Sequence, residues 1–235
     1  MKNILRLISS QIWPEHSWKI VLFVAAVLCL FQVKAQQLDV EGKAKISEMD
    51  TVMDATSNVV RNSDGTLAVR QYKVGDYVQG GIVFWVDETG EHGLVCDTAD
   101  ISTGISWYNG TYKVTNATGD GVGAGAMNTM LIIAQQTVDN PSGDFAALKC
   151  ANLVREQYGD WYLPSKDELH LMYLKKSEID AAAQDNGGGV FASAYYWSST
   201  EVDDSFVWGH GFVGGGSQGV STKEGNVAVR AVRIF

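Results

Sequence analysis

The sequence predicts an α+β domain with a mostly antiparallel sheet, and three observations carry that prediction. Short runs rich in β-branched and aromatic residues, separated by Gly, Asn and Asp turns, occupy both ends of residues 77–235. Between them, apolar residues recur every three and four positions, the helical period. Strands, then helices, then strands again is the order of an α+β fold. Two to three helices are expected, preceded by a β-rich stalk.

At the start, residues 1–35 combine Lys2, Arg6 and Lys19 with an apolar run over 20–33 and a small residue, Ala35, before Gln36-Gln37. That pattern fits a secretory signal peptide cut after Ala35. The alternative is a membrane anchor, which needs about 20 apolar residues; this run is shorter. Cys29 follows the bulky Leu28, unlike a lipid-attachment site. The expected mature protein is therefore secreted or held at the cell surface, with no transmembrane segment once the leader is removed.

Residues 36–76 hold few large apolar side chains and read as a stalk or linker. Leu38, Val40, Ala44 and Ile46 alternate as in a strand. Val59-Val60-Arg61 and Leu67-Ala68-Val69 flank Asn62-Ser63-Asp64-Gly65, a hairpin signal.

The compact domain spans 77–235. Ile82-Val83-Phe84-Trp85-Val86 and Leu94-Val95-Cys96 read as a hairpin, and Trp107-Tyr108 as a further short strand closed by Asn109-Gly110. Helices are expected over 127–136 and 145–158, the second with Leu148, Ala151, Val154 and Tyr158 on one face. Pro164 breaks the pattern. Ser165 with Glu168 three residues later forms a capping box that starts a third helix, with Leu169, Met172 and Tyr173 inward. Strands follow over 195–200, 205–213, 219–223 and 227–235.

Charge narrows the partners. The chain carries 18 Lys+Arg and 27 Asp+Glu, a net charge of −9. Without the four basic residues and Glu15 of the leader, 14 basic and 26 acidic side chains remain, a net charge near −12. Such a surface repels phosphate backbones, so nucleic acid is not an expected partner. Two cysteines remain, Cys96 and Cys150. In an oxidising compartment an even pair suggests one disulfide; the alternative is two buried thiols acting as small apolar residues.

The candidate sites each have a bland counterpart. His92, His170 and His210 lack metal-ligand spacing, and no Gly-x-Ser-x-Gly elbow or P-loop is present. Gly119-Asp120-Gly121-Val122-Gly123 has no apolar strand leading into it and reads as loop. Tyr195-Tyr196-Trp197-Ser198-Ser199-Thr200-Glu201 mixes aromatics with hydroxyls, as sugar-binding faces do; alternation instead sends Tyr196 or Trp197 to the core, which is the favoured reading. Glu201, Asp203 and Asp204 offer oxygen ligands suited to calcium, against a solvated turn. Arg230 and Arg233 lie on opposite faces of the last strand and are expected to pair with buried carboxylates. The segment 201–226 is the best place for a ligand: Trp208 and His210 can stack and hydrogen-bond, and Ser217, Gln218 and Ser221 offer adaptable polar contacts.

Three motifs in order, Asp160-Trp161-Tyr162-Leu163-Pro164-Ser165-Lys166-Asp167-Glu168-Leu169, Tyr196-Trp197-Ser198-Ser199-Thr200-Glu201 and Val229-Arg230-Ala231-Val232-Arg233, resemble the Lcl C-terminal domain family of bacterial collagen-like adhesins. The resemblance covers 77–235. It implies a C-type-lectin-like fold related to the formylglycine-generating enzyme domain, with Trp161, Ser165, Glu168, Trp197, Arg230 and Arg233 as framework. It also implies homotrimeric adhesins that bind sulfated polysaccharide, although a net charge near −12 is unsuited to sulfate. Family members often carry a cysteine between the two arginines, paired with one in the second helix. Here that position is Ala231, which leaves Cys96 as the partner for Cys150. The enzyme's own cysteines lie near its C-terminal end and have no counterpart here. A further similarity is to the variable proteins of diversity-generating retroelements, whose varied residues correspond to about 203–226.

The expectation is a non-enzymatic binding module recognising a glycan or protein at a bacterial surface, without cofactor. The competing expectation is a structural cap on a surface fibre or matrix protein.

Overall fold

The computed structural model describes residues 59–235. The expected leader, residues 1–35, and the alternating segment 38–46 lie outside the described residues.

Val59 and Val69 close the first hairpin, with β1 (Val59–Arg61) antiparallel to β2 (Leu67–Val69). Asp64 builds the turn: its Oδ1 accepts from the Thr66 amide and hydroxyl, and Gly65 takes the left-handed conformation. The next residues are tied to the domain, because the Tyr72 ring meets Phe235 edge-on at 4.9 Å and the Tyr72 amide donates to the Gly90 carbonyl.

Two sheets follow. The four-stranded sheet has the order β11-β5-β4-β3, from β3 (Tyr77–Val78), β4 (Gly81–Val86), β5 (Gly93–Cys96) and β11 (Val232–Ile234). The five-stranded sheet has the order β6-β10-β7-β8-β9, from β6 (Ser102–Ile105), β7 (Tyr195–Glu201), β8 (Phe206–Gly211), β9 (Ser217–Thr222) and β10 (Val227–Val229). Among the described strand pairs only β10–β7 is parallel. The α+β class with a mostly antiparallel sheet therefore holds.

The last strand differs from expectation. Residues 227–235 form two strands in two sheets, parted at Arg230-Ala231. Arg230 turns away to bond Asp100, while Val232 pairs with Cys96. Trp107 also lies beyond a strand: β6 ends at Ile105, and the Trp107 indole donates to the Ser198 carbonyl across the core.

Four helices are present among the described residues, one more than the upper expectation. They are α1 (Ala124–Gln136), α2 (Ala146–Ala151), α3 (Lys166–Leu174) and α4 (Lys176–Asp185). Helix α2 stops well short of 158 because Arg155 leaves the helical path to hold Asp97 with two hydrogen bonds, and Glu156 takes positive φ. Helix α3 begins as its sequence dictates: Ser165 Oγ accepts from the Glu168 amide, and Glu168 accepts from the Ser165 amide. Leu169 and Met172 are buried as expected, while Tyr173 is partly exposed.

The apolar interior forms two clusters. One gathers Trp107, Trp161, Trp197, Phe145 and Cys150; the other gathers Ile82, Phe84, Cys96, Tyr196 and Phe212. Cys96 and Cys150 thus sit in different clusters, and both are free. The expected disulfide is absent. Burial holds the Cys96 thiol up to about 12 and pushes Cys150 upward as well, so neither forms thiolate.

Candidate functional site

The five expected ligand-binding residues fall into three groups, and strand register decides which. Six consecutive residue pairs join β8 to β9 without a bulge, from Phe206–Thr222 to Gly211–Ser217. Side chains alternate across a sheet. Phe206, Trp208, Val220 and Gln218 therefore share one face, and Ser217 and Ser221 lie on the other.

Trp208 is half-buried. The Lys166 ammonium stands 5.1 Å above its ring, within cation–π range. Capping fixes that lysine: its amide donates to Thr200 Oγ1, and its ammonium approaches Asp120 at 3.5 Å. The Gln218 amide donates to the Lys166 carbonyl at 3.3 Å. Phe206 and Val220 are exposed on the same face. The result is an aromatic and aliphatic surface bordered by an ammonium and a carboxamide.

On the opposite face the Tyr195 ring lies across glycines. A Cβ on Gly209 would come within 2.5 Å of that ring, so only glycine fits beneath it.

His210 is on the Trp208 side of the ladder but fully buried, which corrects its expected role as a ligand contact. Its Nδ1 lies 3.0 Å from the Gly211 carbonyl, which can only accept, so Nδ1 carries the proton. Nε2 then accepts from His170 Nδ1 at 3.0 Å. Tyr173 stacks on the His210 ring at 4.6 Å. Desolvation lowers the His210 pKa from the ordinary imidazole value, and His170 lowers it further, against the Gly211 hydrogen bond.

Glu201 is likewise withdrawn from any calcium set. Its carboxylate accepts from the Thr115 amide and hydroxyl, the Asn116 amide and the Lys223 ammonium, with no solvent access. Asp203 instead accepts from the Ser205 and Phe206 amides, and Asp204 from the Ser205 hydroxyl. These are ordinary turn contacts, and the three carboxylates do not converge. Among the described residues no group of three or more His, Cys, Asp or Glu side chains is placed to hold a metal ion.

The framework residues make the contacts their types suggest. Trp161 and Trp197 are buried, and the Trp197 indole donates to the Ile105 carbonyl. Arg230 Nε donates to Asp100 Oδ1 at 2.8 Å, while Tyr196 donates to the other oxygen. The Arg230 guanidinium also lies 3.9 Å from the Phe191 ring centre. Arg233 pairs with Asp160, an exposed carboxylate rather than a buried one, and donates to Gln79. Sequence reasoning missed Lys223, Asp97 and Asp100; an isolated charge within a polar strand or turn carries no signal of its future partner.

No family model matches the chain, and no curated protein matches it. Among solved structures, a fimbrial protein from Bacteroides ovatus ATCC 8483 is similar at 17% identity with a TM-score of 0.44, over 77% of this chain and 48% of that one. The chain thus spans about half the length of that protein.

Two open depressions of about 430 Å³ lie elsewhere. In the first, Asp100, Arg155, Lys149 and Asp144 are already committed to ion pairs. Among the described residues no helix is long and apolar enough to cross a membrane.

Proposed function

We propose that residues 77–235 form an exported, non-enzymatic binding module with a C-type-lectin-like fold. Its ligand face is the β8–β9 ladder around Trp208. The observation that carries this reading is the Trp208 ring itself, half-buried, held by Lys166 and flanked by exposed Phe206, Val220 and Gln218. Aromatic surface beside hydrogen-bonding groups suits the apolar face of a sugar ring or an interface side chain. In this proposal the ligand is a glycan or protein at a bacterial surface, and the stalk gathers three copies.

Two facts support the resemblance to the Lcl C-terminal domain. The Ser165–Glu168 capping box forms in full. Ala231, which stands where relatives often carry cysteine, shares a core cluster with Cys150 of the second helix. Desolvation raises the Glu168 pKa, against the bonds that Ser165, Gly123 and Tyr162 make to its carboxylate.

The test is capture on an immobilised panel of neutral, sialylated and sulfated oligosaccharides and on whole bacterial cells. Trp208→Ala should lose at least tenfold in capture, and Gln218→Ala should lose less, with melting temperatures within a few degrees of the parent. Equal capture by the parent and Trp208→Ala would move the ligand face elsewhere. No capture by the parent on any surface would favour the structural cap.

A further inference from the structure

Strand β9 is an outer strand of the five-stranded sheet, and nothing in its sequence closes that edge. Folded proteins blunt such edges with short strands, charged side chains, proline or bulges, because a row of free backbone groups pairs with any extended chain that meets it. The other edges of the two larger sheets are blunted. β3 has two residues and is followed by Gln79, which takes positive φ. β11 is covered, since Tyr162 and Val232 exchange amide-to-carbonyl bonds along its outer side. β6 has four residues and pairs with β10 across a break in register. Strand β9 has six residues, Ser-Gln-Gly-Val-Ser-Thr, with no charge, no proline and an unbroken register against β8.

That register fixes which backbone groups are free. The Lys223 amide donates to the Ser205 carbonyl, and bonded and unbonded pairs alternate along an antiparallel ladder. Ser221, Gly219 and Ser217 therefore turn their backbone groups to β8, and Thr222, Val220 and Gln218 turn theirs away. The Thr222 carbonyl accepts from the Gly225 amide. The Thr222 amide and both backbone groups of Val220 and Gln218 point outward, and among the described residues no backbone group bonds them. Ser217, Gln218 and Val220 are exposed, which leaves room for an incoming strand.

We infer that the ligand of the Trp208 face is an extended peptide segment that adds to β9 as a sixth strand; this rests on that face being the binding face. Backbone chemistry selects the class. Donors and acceptors recur along the edge about every 6.8 Å, two residues of strand, and a polypeptide backbone is the complement to that repeat where a glycan is not. In such additions main-chain pairing supplies affinity and alternate side chains supply choice. On one face the added strand lies beside exposed Val220, with Trp208 and Phe206 one strand further in, which suits β-branched or aromatic residues at every second position. On the other it lies beside Ser217, Gly219 and Ser221. A Cβ on Gly219 would come within 2.7 Å of Tyr195 Oη, so the middle of that face stays flat. The edge is uncharged in a chain of net charge −9, so a neutral or basic segment is preferred to an acidic one.

Selection of a random dodecapeptide library on the full chain tests this. Enriched peptides should carry apolar residues at alternate positions. The tightest of them is then remade with N-methyl groups on its odd or on its even amides. One set should lose at least tenfold in binding and the other should retain it, because only one edge of an added strand meets β9. Val220→Pro removes an amide that faces outward and leaves the β8 ladder intact; it should also lose at least tenfold, with a melting temperature within a few degrees of the parent. The N-methyl pair uses the parent chain and decides the matter if Val220→Pro misfolds. Equal binding by the two methyl sets, or full binding by a folded Val220→Pro chain, would overturn strand addition. So would an empty selection, or capture of an oligosaccharide that Val220→Pro retains. A peptide lost with Val220→Pro but kept with Trp208→Ala would support the added strand and refute Trp208 as its contact.

Discussion

Lys223 Nζ lies 2.6 Å from Glu201 Oε1, and neither side chain reaches solvent. The lysine joins the edge of β9 to the end of β7, donating also to the Lys113 carbonyl and resting 4.8 Å above the Trp107 ring. A buried ion pair of this kind need not add net stability, but breaking it leaves a charge stranded. Lys223→Met should therefore cost about 3–5 kcal/mol. Lys223→Met with Glu201→Gln should cost less than the two single changes together, because the second removes the stranded charge. Denaturant unfolding of the four proteins measures that coupling.

Stability should fall on mild acidification, and His210 should be the cause. Its folded pKa lies below the ordinary value of about 6.5. Above that value both states hold neutral imidazole, and the stability is present in full. As pH falls through the unfolded value the unfolded chain takes up a proton that the folded chain resists, so stability is lost. His170 faces the same nitrogen and Tyr173 stacks on the ring; no carboxylate bonds it. The melting temperature should drop between pH 7 and 5.5, and more steeply in the parent than in His210→Asn.

Thiol labelling of denatured, unreduced protein should find both Cys96 and Cys150, and labelling of native protein should find neither. Ala231→Cys should change the outcome. Placed in the cluster that holds Cys150, the new cysteine should form a bond closing about 80 residues, leaving one free thiol and adding about 4.5 kcal/mol by the chain-entropy relation.

Gly216 and Gly214 both take the left-handed conformation, with φ of 62° and 61°. A Cβ on Gly216 would lie 2.0 Å from the Tyr173 ring, whereas one on Gly214 meets nothing within 4 Å. Gly214→Ala should cost about 1 kcal/mol for the backbone alone, and Gly216→Ala distinctly more. Their difference, read from thermal unfolding, reports how firmly Tyr173 is held over His210.

Local signals in the sequence were legible and distant ones were not. The Asp64-Gly65 turn and the Ser165–Glu168 cap are bonds between residues two or three apart, so composition and spacing identify them. Trp208 and Gln218 share a face through period-two alternation and a regular register. His210 was lost from the same segment because its burial is imposed by His170 and Tyr173, some 40 residues away in sequence. Helix α4 has only small or polar residues apart from Ile179, and that leaves little apolar spacing to read. The disulfide failed for a related reason: two cysteines in one compartment say nothing about which core cluster each one joins.

The division of residues 227–235 between the two sheets also sets an order of events during synthesis. Strand β10 lies between β6 and β7, and β11 adds to β5. β6 and β5 are made more than 120 residues earlier. Neither sheet can close until residues 227–235 have emerged, so a nascent chain that stops before them is left with an open gap in one sheet and a bare edge on the other. Each sheet is therefore completed only by residues 227–235, and strands made far apart in time are joined by one short stretch of chain.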